Sequence, residues 1–248
     1  MDEGSLRVRL WDGFAELQLL LGAHAGAGQT LEWDGLVASI VPNAPDSPTL
    51  NAAVALEADT AVQHVDHLAR LYGNASVRRW GVWLDGGASL AAQALAQAGL
   101  TVTAASPGMG AALTDLTVDG DEPEPADLAT VGRVNDMAYG NFDGRLERTL
   151  TPLPNGVLKG YRVDLDGSPA AVALALHHRD DCGVSFVATV PEARRLGLAT
   201  KVMRQTLADA ARSGCTTTTL QATDVGERLY LNLGYRRLCV MQLWEGRR

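Results

Sequence analysis

The sequence predicts an α/β protein, a sheet covered by helices, because strand-like and helix-like stretches alternate along most of its length. Three observations lead there. Runs rich in β-branched or aromatic residues at 36–41, 79–84, 184–190 and 216–221 are separated by stretches of helical spacing. An acidic, proline-bearing segment, residues 119–127 (DGDEPEPAD), should break any regular element and separates two parts, 1–115 and 116–248. The order strand, helix, Gly-Leu, strand in residues 80–113 returns as strand, helix, Gly-Tyr, strand in residues 216–243, so the parts read as related halves.

In chain order, residues 36–41 form a strand and 60–72 a helix. Residues 79–84 (RWGVWL) are the next strand, 89–98 a helix stopped by Gly99, and 100–104 a strand followed by a Pro-Gly-Met turn. Beyond the break, apolar residues recur at helical spacing through 125–139. Residues 158–164 and 170–177 make a hairpin turning at Asp166-Gly167. The run 184–190 is a strand ended by Pro191. A helix follows over 197–213, closed by Gly214, and then the strand 216–221.

A chain of 248 residues that is 46% hydrophobic can bury a core without disulfides or metal. Its net charge of −8 lacks the clustered Lys and Arg that neutralise phosphates, which argues against nucleic acid as partner and favours a cationic small substrate. Cys182, Cys215 and Cys239 have no CxxC spacing, so they read as free apolar residues in a reduced compartment, with no metal site. The opening MDEGSLRVRL has the wrong charge order for a secretory leader, and no apolar run approaches the roughly 20 residues of a membrane span. The expectation is a cytoplasmic protein, monomeric or homodimeric.

Residues 190–200 (VPEARRLGLAT) carry the most chemistry: a strand ends at proline and runs through a basic, glycine-containing turn into a helix. Amides at a helix start lack intrahelical partners, and the helix dipole adds partial positive charge, so such a turn can hold a pyrophosphate largely by backbone. Gly197 lets the backbone approach closely, Ala199 keeps the helix start uncrowded, and Arg194 and Arg195 supply charge.

The pattern R-x-x-G-x-A on Arg194, Gly197 and Ala199 resembles the coenzyme A loop of the GCN5-related N-acetyltransferase (GNAT) superfamily. A second segment, residues 220–235 (LQATDVGERLYLNLGY), resembles that family's closing strand, short helix with Leu-Tyr, and Leu-Gly-aromatic entry to a last hairpin. The resemblance is close over about the last 65 residues. It implies a mixed, mostly antiparallel central sheet flanked by helices, and acetyl-CoA as cosubstrate. It also implies that Arg194, Arg195, Leu196, Gly197, Leu198, Ala199 and Thr200 hold the pyrophosphate. Val187, Ala188, Thr189 and Val190 would then pair with the pantetheine like an added strand. Tyr230 corresponds to the family tyrosine that protonates the leaving thiolate, its alternative being a core residue, while Tyr235 corresponds to a buried structural aromatic.

The match leaves gaps. The strand VSFVATV has no carboxylate to take the proton of the attacking amine. His177, His178, Asp180 and Asp181 at the preceding turn, and Ser185 as a water anchor, are nearby candidates that read as solvated loop residues, so no base is assigned. The first half has no second phosphate cradle, and Trp80 and Trp83 read as core before they read as a wall of the acceptor site. The sequence thus points to a tandem acetyltransferase-like chain with a degenerate first half. Its second half would transfer acetyl to a primary amine of a small molecule or protein. The rival reading is a non-catalytic acyl-CoA sensor.

Overall fold

The computed structural model describes residues 1–118, 124–154 and 156–247. Residues 119–123, most of the acidic break, lie outside them. The chain opens with α1 (Glu3–His24), β1 (Gln29–Trp33), β2 (Leu36–Ile40), β3 (Ala52–Ala55), α2 (Ala58–Asn74), β4 (Arg79–Asp85), α3 (Ser89–Gln97) and β5 (Thr101–Ala112). The second half holds β6 (Glu124–Ala126), α4 (Leu128–Tyr139), α5 (Arg145–Leu150), β7 (Leu158–Leu165), β8 (Ser168–His178) and β9 (Asp181–Thr189). It ends with α6 (Leu198–Arg212), β10 (Thr217–Gln221), α7 (Asp224–Leu233) and β11 (Arg236–Arg247).

These strands form one sheet in the order β1-β2-β3-β4-β11-β5-β10-β9-β8-β7-β6. Two pairs, β3 with β4 and β9 with β10, are parallel and the rest antiparallel. The order is symmetric about the central β11–β5 pair: β4 and β10 flank it, then β3 and β9, then β2 and β8. The echo read in the sequence is therefore present as β4-α3-β5 against β10-α7-β11. The sheet does not part where the sequence does. Strand β11 of the second half lies between β4 and β5 of the first, and β5 lies between β11 and β10, so the halves have exchanged their last strands. Glu245 of β11, whose side chain is fully buried, receives both Arg79 of β4 at 2.8 Å and Arg247 at 2.8 Å. The Arg79 hydrogen bond, helped by Arg247, holds its carboxyl down to about 2.

The Pro-Gly-Met segment expected to turn instead runs straight through β5, with Pro107 opposite Val240. Gly108 permits this central place, since a Cβ there would fall 2.5 Å from Leu10 of α1 and 2.7 Å from Cys239. The acidic break gives way at its end to β6, where Pro125 sits in an edge strand, the place a sheet tolerates proline. Asp127 then caps α4 by accepting from the Thr130 amide at 2.6 Å.

Helix α1, which the sequence reading left unassigned, crosses the front of the sheet. It buries Leu6, Leu10, Trp11, Leu17 and Leu21. Arg7 pairs with Asp85 of the first half, whereas Arg9 pairs with Asp180 and Asp12 with Arg179 of the second. The front core is completed by α4, while α2, α3, α6 and α7 cover the back. Trp80 and Trp83 are both core, Trp80 stacked on Tyr72 and Trp83 edge-on to Phe14. The three cysteines are free.

Because each half supplies a strand to the other, a fragment of residues 1–115 leaves β4 and β5 without β11 between them. We expect it to show no cooperative thermal transition by circular dichroism and no coenzyme A binding by calorimetry. A cooperative transition in this fragment would show that the exchange is not needed for folding.

Candidate active site

The site grows from a break in pairing. Strands β9 and β10 pair in register from Asp181↔Thr217 to Val184↔Leu220 and no further, although β9 runs on to Thr189. The cause is a bulge: Val172 pairs with Ala188 and Leu174 with Ser185, so Phe186 and Val187 together oppose Ala173. Phe186 takes a left-handed conformation, φ 52°, and Asn135 of α4 fastens its carbonyl at 3.2 Å. The strands part as a fork beyond Val184. The Val190 amide donates to Ala170 of β8, so by strand alternation the backbone groups of Thr189 and Val187 face the fork. Ala188 and Val190 are buried behind them.

At the top of the fork the chain passes a short 3-10 turn, Pro191–Ala193, and reaches α6 through two left-handed residues, Arg195 at φ 64° and Gly197 at φ 81°. The α6 start has no side-chain cap. Among the described residues, the amides of Arg195, Leu196, Gly197, Leu198, Ala199 and Thr200 make no hydrogen bond to the protein, and the loop is exposed. A curl of free amides at a helix start is an anion-binding concavity. Arg194, exposed at the turn, also tethers it. Its guanidinium donates to the Ala138 carbonyl at 2.6 Å and the Thr189 carbonyl at 3.3 Å, pinning the loop to the end of α4. Arg195 beside it is exposed as well.

The equivalent place in the first half is closed. There β3 ends at Ala55 and α2 begins at Ala58, with two residues between them against eight between β9 and α6. The α2 cap is Glu57, an anion where a phosphate would sit.

Tyr230 comes from α7, one side of the fork. It is 6% exposed, its ring meets Tyr235 edge-on at 5.9 Å, and its hydroxyl has no hydrogen-bond partner among the described residues. Burial pushes the phenol above its usual range, with the nearby Tyr139 of α4 adding to the effect. Tyr235 is structural, as expected: it is buried and its hydroxyl is bonded to that of Thr218 at 2.8 Å.

Below the fork, on the front, a small pocket lies between α1 and the sheet, lined by Leu10, Phe14 and Leu17 and by Ser185, Thr219 and Gln221. Ser185 is thus placed at the fork. Asp180 and Asp181 depart from the solvated-loop reading: Asp180 is a bidentate partner of Arg9 at 2.5 and 2.9 Å, and Asp181, 3% exposed, opens β9. Asp181 is buried beside α1, and Asp180, still partly exposed, is tied to it through Arg9, contacts that the local run HHRDD does not show. Among the described residues no group of His, Cys, Asp and Glu could hold a metal ion, and no helix is long and apolar enough to cross a membrane.

Residues 127–224 match the family model described as Acetyltransferase (GNAT) domain. Among solved structures, a GCN5-related N-acetyltransferase from Kribbella flavida superposes with a TM-score of 0.71 at 18% identity, covering 96% of this chain and 94% of that one. A GCN5-related N-acetyltransferase from Sphaerobacter thermophilus gives 0.56 at 12% identity, covering 86% and 80%. A tandem GNAT protein from the clavulanic acid biosynthesis pathway gives 0.56 at 11% identity, covering 86% and 78%. At these identities the likeness is one of fold. A search of curated proteins returns no match.

Proposed function

We propose that the protein transfers acetyl from acetyl-CoA to a primary amine by direct attack, a reading supported by the match of residues 127–224 to the acetyltransferase (GNAT) family model and by the shared fold. The observation that carries this is the junction of fork and cradle, an unpaired strand edge leading into six free amides at a helix start. The pyrophosphate would sit on the amides of Arg195 to Thr200, with Arg195 adding charge. The pantetheine would enter the fork along Val187 to Val190, taking the backbone groups of Val187 and Thr189 as a strand would.

In this reading the thioester reaches the crotch of the fork, where a free strand amide polarises its carbonyl. The amine nitrogen attacks the carbonyl carbon, the C–S bond breaks, and Tyr230 protonates the departing sulfur. Holding amine and thioester together supplies much of the rate. The two repeats are read as residues 1–115 and 116–248, the first a brace that contributes α1 and β5 but no cofactor site. The net charge of −8 supports a cationic acceptor, metabolite or protein lysine.

The test is turnover of acetyl-CoA with polyamines, aminoglycosides, amino acids and lysine peptides, followed as thiol release. At least one class should be acetylated, and cationic members should lead. Tight acetyl-CoA binding with no turnover across the panel would leave the acyl-CoA sensor instead.

A further inference from the structure

An amine that attacks a thioester must lose a proton, and the β9 arm of the fork offers no carboxylate: Ser185 to Thr189 reads SFVAT, while on the α7 arm Glu227 is paired with Arg237 and Asp224 is exposed at the helix start. One carboxylate nevertheless lies beneath the fork. Asp181 is buried on the front of the sheet, directly opposite Thr217, and its two oxygens accept the hydroxyls of Thr217 and Thr219, each at 2.6 Å. Thr219 is also one of the polar residues lining the pocket at the crotch of the fork, beside Ser185 and Gln221. Gly183, between Asp181 and Ser185 on the same face, places no side chain in the way.

We infer that Asp181 accepts the proton of the incoming amine, relayed through the Thr219 hydroxyl. The inference rests on the acetyltransferase reading above. As the N–C bond forms, the amine proton passes to Thr219 Oγ1 while the proton of that hydroxyl moves to Asp181 Oδ2. The C–S bond breaks and the sulfur takes the Tyr230 proton, so free amine and acetyl-CoA become amide and free coenzyme A. Asp181 then releases its proton to solvent, from which Tyr230 regains one.

Two further features fit a relay better than a simple bolt between strands. First, the carboxylate is buried without an ion pair of its own among the described residues, an arrangement costly to a folded chain. The nearest cation, Arg9, binds Asp180 and reaches only the Thr217 hydroxyl, at 3.0 Å. Second, the far side of Asp181 borders a surface hollow lined by Ser5, Arg9, Asp12, His178 and Asp180, which gives the proton a way out.

Burial raises the Asp181 carboxyl above the usual carboxylate range, opposed by the two threonine hydroxyls and Arg9 and helped by Asp180. A raised value suits a base working near neutrality. Cys182, Cys215 and Tyr235 lie within electrostatic reach of Asp181. Arg9 and Asp12 face it from α1, and His178, Arg179 and Asp180 from the β8–β9 turn. Asp12 is held by Arg179, and His177 looks the other way toward Lys159 and Asp209.

The experiment is the pH profile of kcat with acetyl-CoA and the panel amine that turns over fastest, in wild type, Asp181→Asn, Thr219→Val and Thr219→Ser. Thermal melts and acetyl-CoA calorimetry establish that each variant is folded and binds the donor. Wild type should gain rate with pH through the Asp181 titration and then level off. Asp181→Asn and Thr219→Val should each lose about 100-fold in kcat and lose that acidic limb. Thr219→Ser, which keeps the hydroxyl, should stay within about tenfold of wild type and keep the limb. If Thr219→Val matches Thr219→Ser, or if Asp181→Asn keeps the limb, the relay is wrong while the acetyltransferase reading stands. A wild type that binds acetyl-CoA and acetylates nothing overturns that reading, and the relay with it.

Discussion

Replacing Gly197 with glutamate should abolish coenzyme A binding in a chain that still folds. Gly197 sits at φ 81°, where a side chain costs roughly 1–2 kcal/mol, and a Cβ built on it meets nothing within 4 Å. A side chain at this place therefore starts from open space on the cradle's own loop. There it sets a carboxylate at the helix start, against the free amides that would otherwise receive the pyrophosphate. Charge repulsion and a distorted curl act together, and we expect at least about a hundredfold loss of affinity for acetyl-CoA by calorimetry. Gly197→Ala separates the two causes, because it carries the backbone strain without the charge and should lose far less. Undiminished affinity in folded Gly197→Glu protein would mean that the ligand lies elsewhere.

Changing Tyr230 to phenylalanine should leave acetyl-CoA affinity near wild type and lower turnover by about tenfold to a thousandfold. The ring packs against Tyr235 and is almost wholly buried, so phenylalanine keeps its contacts. The hydroxyl bonds to no protein group among the described residues, so removing it leaves no partner stranded. Burial makes this phenol a weaker acid than one in water, which keeps it protonated at any working pH. Transfer then proceeds as charge accumulates on a sulfur in the same desolvated surroundings. Steady-state kinetics at saturating amine, paired with calorimetry, measures the effect where the chemical step limits. Equal turnover under that condition would return Tyr230 to the core.

The cradle was legible because it is written locally: proline ends a strand, glycine supplies a left-handed turn, and a helix follows within ten residues. The fork was less so. Its cause is a bulge at Phe186 and Val187, a matter of register against β8 that no spacing within β9 reveals. Helix α1 does carry helical spacing at Leu6, Leu10, Leu17 and Leu21, but Gly4, Gly13 and Gly22 interrupt it and its partners lie in both halves. Without α1 the polar run before β9 gives no sign that Asp181 is buried or that Asp180 is paired with Arg9. The tether that Arg194 makes was hidden for a similar reason. Its acceptor, the Ala138 carbonyl, is 56 residues away.

The exchange of β5 and β11 also sets a timetable for synthesis. When β5 leaves the ribosome, neither of its neighbours exists, and the last of them, β11, begins only at Arg236. At about 5–20 residues per second, β5 waits roughly 5–21 seconds with both edges bare before β10 begins at Thr217, and longer still for β11. Unpaired strand edges are templates for pairing with other chains. The nascent protein is therefore most exposed to self-association in that interval, and slower translation of the second half should lower its soluble yield more than slower translation of the first.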